Sequence, residues 1–112
     1  MIRLFASDMD GTLLNSSGFL SKYTADMIHR LQRCGIEFIV NTGRDYQSAK
    51  DALDAAGISC DMICYSGACT YDRYGNPSNI ASLPKSIAKK ILEIFERHGA
   101  SNITEKKSIR PL

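Results

Sequence analysis

Three short apolar runs, each ending abruptly in polar residues and separated by amphipathic segments, constrain this chain more than any other feature. Residues 2–6, 36–40 and 62–65 have the length and the β-branched or aromatic content of strands. The first, Arg3 apart, reads as a buried strand. Between the first two runs, Ser21 is placed to cap a helix over 22–34. That helix would carry Met27, Ile28, Leu31 and Cys34 on one face, with Gly35 at its exit. Between the second and third, Asp45 is placed to cap a helix whose inward stripe is Ala49, Leu53 and Ala56, stopped by Gly57. Such alternation builds right-handed crossovers and a parallel sheet, so an α/β fold is expected.

The pattern changes after residue 67. Residues 68–71 and 78–81 flank the turn-rich stretch Asp72-Arg73-Tyr74-Gly75-Asn76-Pro77 and read as a β-hairpin. Pro84 then precedes a helix over 85–98, with Ile87, Ile91, Ile94 and Phe95 on one face and Gly99 at its end. The segment 101–112 offers one strand around Ile103.

Composition narrows the function classes. A chain of 112 residues supports one small domain at most, and its net charge of +2 is too small to point to nucleic acid or an acidic membrane. No apolar stretch is long enough to span a bilayer, and the start lacks the pattern of a secretory signal, so the cytoplasm is the expected compartment. Cys34, Cys60, Cys64 and Cys69 have neither CxxC spacing nor a paired-histidine motif. They read as reduced thiols serving as small apolar residues.

The chemistry gathers at the strand ends. Asp8-Met9-Asp10-Gly11-Thr12 follows the first run, Thr42-Gly43-Arg44 the second and Ser66-Gly67 the third. Ligands of parallel α/β sheets collect beyond the carboxyl ends of the strands. Two carboxylates one residue apart repel each other and resist burial, so fold stability alone does not select them. A phosphate ester bound at that rim would use Asp8 as nucleophile and Asp10 as acid/base. Gly11 lets the backbone turn close to the phosphate. The Thr42 hydroxyl and the Gly43, Ser66 and Gly67 amides would serve as donors to the phosphoryl oxygens. Carboxylates facing a phosphate require a cation, and hard oxygen ligands favour Mg²⁺. Neither an EF-hand loop nor a G-x-x-x-x-G-K-[ST] phosphate loop is present.

At this point the residues resemble a known family. D-M-D-G-T-L-L over 8–14 is similar to the first motif of the haloacid dehalogenase superfamily of phosphatases, D-x-D-G-T-[LV]. Thr42-Gly43-Arg44 is similar to the second motif of its Cof-type sugar-phosphate phosphatases, and Tyr65-Ser66-Gly67-Ala68 falls where that group has an N-G-A turn. The resemblance implies a Rossmann-like core over 1–84, with the beginning of an α/β cap over 85–112. It implies an Mg²⁺-dependent phosphatase acting on small phosphorylated metabolites through an aspartyl phosphate. Asp8 and Asp10 would be the catalytic residues and also the metal ligands. Thr42, Gly43, Arg44, Ser66 and Gly67 would contact phosphate or substrate, with Arg44 at a loop-to-helix junction where arginine often turns to solvent. The family's later lysine and its acidic G-D-x-x-[ND]-D cluster do not appear, so a fragmentary enzyme with impaired autonomous activity is expected. An inactive binding module and a receiver-like phosphoacceptor domain are the alternative readings. Self-association through an exposed sheet edge or the 85–98 helix is a further expectation.

Overall fold

The computed structural model describes residues 1–99. The chain divides into two units, Met1–Ile80 and Ala81–Leu112. The strand expected around Ile103, and the part of the expected cap from 100 onward, lie outside the described residues.

In the first unit, strands β1 (Leu4–Ser7), β2 (Glu37–Asn41), β3 (Asp61–Cys64), β4 (Cys69–Tyr71) and β5 (Pro77–Ser78) form one sheet in that order. The first three are parallel, with Leu4 opposite Glu37 and Ile39 opposite Asp61. The hairpin adds β4 antiparallel to β3, Cys64 facing Cys69, and β5 antiparallel to β4. The sheet is therefore mixed, and the hairpin extends it.

Helices α1 (Lys22–Arg33) and α2 (Tyr46–Ala55) make the two crossovers. Both expected caps form: Ser21 Oγ accepts from the Thr24 amide and Asp45 Oδ1 from the Ser48 amide. Two successive right-handed crossovers running in one direction place both helices on one face of the sheet. On that face Phe38, Val40, Met62 and Cys64 pack with Ala25, Ile28, Ala49 and Leu53 in a single core. Strand residues alternate between faces, so Ile39 and Ile63 lie on the other side, only half-buried.

Two burial expectations are corrected. β1 begins at Leu4, and Ile2, Leu4 and Phe5 are exposed, leaving Ser7 as its buried residue. The cause is position: β1 is an edge strand, paired with β2 alone among the described residues. On α1, Ile28 is buried and Leu31 packs against the core as expected, but Ala25 joins them while Met27 and Cys34 are exposed, because the inward stripe runs through 25, 28 and 31. Cys60, Cys64 and Cys69 are free, buried thiols, and burial pushes Cys60 up to about 12 and Cys64 up to about 11.

The hairpin turn is organised by Asp72, whose Oδ1 accepts from the amides of Tyr74 and Asn76. Gly75, at φ +86°, lies against Tyr46, whose hydroxyl would stand 2.7 Å from any Cβ there. In the second unit, helix α3 (Lys85–Arg97) leaves Ile87, Ile91, Ile94 and Phe95 exposed. Among the described residues no helix is long and apolar enough to cross a membrane.

Candidate active site

The carboxyl ends of β1, β2 and β3 open into one cleft of about 420 Å³, lined by Ala6, Ser7, Asp8, Asn41, Thr42, Gly43 and Ser66. Four of the residues singled out from sequence thus share a cavity: Asp8, Thr42, Gly43 and Ser66. Ser7 and Asn41 join them unanticipated. The signal for both was available, since each is the strand residue immediately before a motif that the sequence marks.

One wall is fixed by backbone hydrogen bonds. The Thr42 amide donates to the Ile63 carbonyl at 2.8 Å and the Ser66 amide to the Thr42 carbonyl at 3.0 Å, binding the two strand ends together. The Tyr65 amide donates to the Arg44 carbonyl at 3.0 Å. Thr42 is 2% exposed, and its Oγ1 accepts from the Arg44 amide at 3.1 Å, which leaves the hydroxyl proton free to be donated into the cleft. The Ser66 amide, expected as a phosphate donor, is thus already committed to Thr42, and Ser66 is left with its hydroxyl.

That hydroxyl reaches the cleft through an unusual turn. Tyr65 and Ser66 take φ of +51° and +54°, followed by Gly67 at +100°. Left-handed backbone costs a side-chain-bearing residue about 1–2 kcal/mol, and the hydrogen bonds to Thr42 and Arg44 hold the chain there. Gly67 itself lies off the cleft and serves the turn. Gly43 admits a close approach: a Cβ on it would stand 3.3 Å from Ser66 Oγ.

The other wall is Asp8, at the end of β1. It is exposed, and its carboxylate has no hydrogen-bond or ion-pair partner among the described residues. Ser7 Oγ donates to the Asp8 carbonyl at 2.8 Å. The chain then bends through Met9–Leu13, with Gly11 at φ +76°, and the Leu14 amide returns to the Met9 carbonyl at 2.9 Å. Met9 is fully buried, which anchors the loop between its two acids.

Asp10 lies outside the cleft lining. Both its oxygens are taken by Arg44, Nε to Oδ2 at 2.9 Å and Nη2 to Oδ1 at 2.8 Å. Hydrogen bonding from this guanidinium holds the Asp10 carboxyl below the usual carboxylate range and raises Arg44. Arg44 is turned away from the cleft but only partly to solvent, because Asp10 and Ser48 Oγ occupy its guanidinium.

The donor set suits a hard cation in kind. Asp8 brings a carboxylate to the cleft lining, Asp10 carries a carbonyl two residues on along the same loop, and Mg²⁺ commonly takes one or two carboxylates with water and substrate phosphate. Among the described residues no three His, Cys, Asp or Glu side chains converge.

Comparison with known proteins bears on this geometry. The family model for haloacid dehalogenase-like hydrolases matches residues 5–109. An HMP-PP phosphatase of Yersinia pestis is 34% identical over 92 residues, covering 82% of this chain and 34% of its own length. A haloacid dehalogenase-like hydrolase from B. subtilis superposes with a TM-score of 0.83 at 33% identity, over 88% of this chain and 34% of that one. A phosphatase of the haloalkanoate superfamily from Bacteroides thetaiotaomicron gives 0.75 at 26% identity, over 88% and 37%. The chain spans about a third of the length of the curated relatives it matches.

Proposed function

The chain belongs to the haloacid dehalogenase-like hydrolase family, and from that premise we propose that its cleft is the phosphoryl site of a Cof-type phosphatase acting on small phosphorylated metabolites in the cytoplasm. The observation that carries this reading is that Asp8, whose carboxylate has no partner among the described residues, lines one cavity with the donors Thr42, Gly43 and Ser66. A nucleophile must be free to attack, and the donors must be in place beforehand.

The chemistry follows from the residues. An Asp8 oxygen attacks phosphorus, the ester P–O bond breaks, and the leaving oxygen takes a proton from Asp10. The Asp10 carboxyl, ionised and paired with Arg44 in the free protein, must first leave that pair and take up a proton from water. Asp10 then takes a proton from water as that water attacks the acyl phosphate. Inorganic phosphate leaves and the Asp8 carboxylate is restored. Thr42, Gly43 and Ser66 hold the phosphoryl oxygens throughout. Asp8 and the Asp10 carbonyl would hold Mg²⁺, which supplies positive charge against the phosphoryl oxygens.

The test is phosphoryl labelling and hydrolysis with a small aryl phosphate and Mg²⁺. Asp8→Asn is expected to abolish both covalent labelling and turnover. Asp10→Asn should slow labelling, through loss of leaving-group protonation, and also slow the release of phosphate. Labelling or turnover that survives Asp8→Asn overturns the mechanism.

A further inference from the structure

The phosphatase reading implies a phosphate contact for Arg44, but the structure gives this residue other partners. Resting on that reading, we propose that Arg44 is a positioning residue: it ties the Asp10 carboxylate to the Thr42 wall of the cleft instead of binding phosphate. Three observations converge. First, the guanidinium is occupied. Nε and Nη2 form a two-pronged pair with Asp10, and Nη1 donates to Ser48 Oγ at 3.1 Å. A planar fork matches a carboxylate in two parallel hydrogen bonds, fixing direction as well as distance.

Second, Arg44 is absent from the lining of the phosphate cleft and lines a separate groove with Gly18, Phe19 and Gln47. A phosphate ligand would aim its fork into the cleft. Third, the same residue holds both halves. Its amide donates to Thr42 Oγ1, and its carbonyl accepts from Tyr65. The Asp10 side chain is 61% exposed while that of Arg44 is 27% exposed, so packing fixes the arginine and the arginine fixes the acid. Among the described residues the Asp10 carboxylate has no other hydrogen-bond partner. The Asp10 carboxylate is therefore tied by the Arg44 side chain to a residue whose backbone is bonded to Thr42 and Tyr65.

The proposal is tested by NMR on the full 112-residue chain during titration with inorganic phosphate. The Arg44 Nε–H and the Asp10 carboxyl carbon are followed together with the amides of Asp8, Gly43 and Ser66. The expected result is that the three amides move with phosphate while the Arg44 Nε–H stays in place. Arg44→Lys is expected to shift the Asp10 carboxyl resonance as far as Arg44→Ala does, because a point charge does not replace the fork. Both variants should change phosphate affinity by no more than about threefold. A phosphate ligand behaves differently: Arg44→Ala would weaken binding about tenfold or more, Arg44→Lys would restore much of it, and the Nε–H would move with saturation. Any of these overturns the positioning role. If Arg44→Ala fails to fold, the unsubstituted chain and Arg44→Lys decide the matter alone. An unsubstituted chain that binds no phosphate overturns the phosphatase reading, and the positioning role falls with it.

Discussion

On the Thr42–Ser66 side of the cleft, two strand ends are bonded to each other through the backbone and rest on the common core, with Val40 and Cys64 fully buried beneath them. On the Asp8 side the strand lies at the sheet edge, Leu4 and Phe5 are exposed, and the carboxylate stands without a partner among the described residues. Those backbone bonds fix the wall proposed to receive charge, as donors that must point one way before anything binds require. The wall proposed to supply the nucleophile is secured by Met9 beneath the loop and by the Asp10–Arg44 pair.

The largest difference between the two sides should appear in stability. Leu53→Ala empties a fully buried core position on α2, the helix that follows the Thr42–Arg44 end of β2, and is expected to cost about 2–5 kcal/mol. Leu4→Ala, on the exposed edge strand, should cost less than about 1 kcal/mol. Urea unfolding of the two variants measures both, and equal losses would break the contrast.

Glycine substitutions sharpen it. Gly43→Ala places a methyl 3.3 Å from Ser66 Oγ, so the hydroxyl must give by a few tenths of an ångström and phosphate affinity should fall by about tenfold, or about 1.4 kcal/mol. Gly11→Ala meets nothing within 4 Å and should cost only the left-handed backbone strain of about 1–2 kcal/mol, read as stability. Isothermal titration with phosphate and thermal melts separate the two effects.

Ser66→Gly acts in opposite directions on fold and function. It relieves positive φ at Ser66 and should stabilise the chain by less than about 1 kcal/mol, while removing a cleft hydroxyl and weakening phosphate binding. A variant that gains both stability and affinity would show that Ser66 contributes nothing to the donor wall.

The smallest effect is the pH dependence of the exposed Asp10–Arg44 pair. Its folded carboxyl lies below the ordinary value of 3.8, so it contributes stability above that value and loses it as pH falls through the lowered one. Melting curves of the parent and Asp10→Asn should differ slightly at neutral pH and converge in strong acid. A gap that persists or widens in acid would contradict the pairing.

The alternation of strands and helices was legible because period and caps agree: Ser21 and Asp45 cap where the apolar stripes begin. Asp8, Thr42, Gly43 and Ser66 were legible as a group because parallel strands put their carboxyl ends together. The exposure of β1 was not, since an apolar run reads the same whether its strand is central or at an edge. Nor were the partners of Arg44 and of the Ser66 amide. Both depend on how far a loop folds back, and residue type does not encode that distance. The left-handed turn at Tyr65 and Ser66 was also hidden, because neither residue advertises positive φ.

The strand register carries a consequence for how the cleft comes into being. Cys64 meets Cys69 across a tight turn, whereas Leu4 meets Glu37 only after the whole first crossover is enclosed. Short closures form early and long ones late, because the entropy of a long loop must be overcome before any contact rewards it. On loop length the hairpin is expected to assemble first, then the β2–β3 pairing, with docking of β1 last. A chain caught before that last step would carry the turn at Ser66 without Asp8 opposite it. The arrival of Asp8 would then mark the completion of folding, and phosphate binding in a refolding experiment is expected to report the docking of a single edge strand.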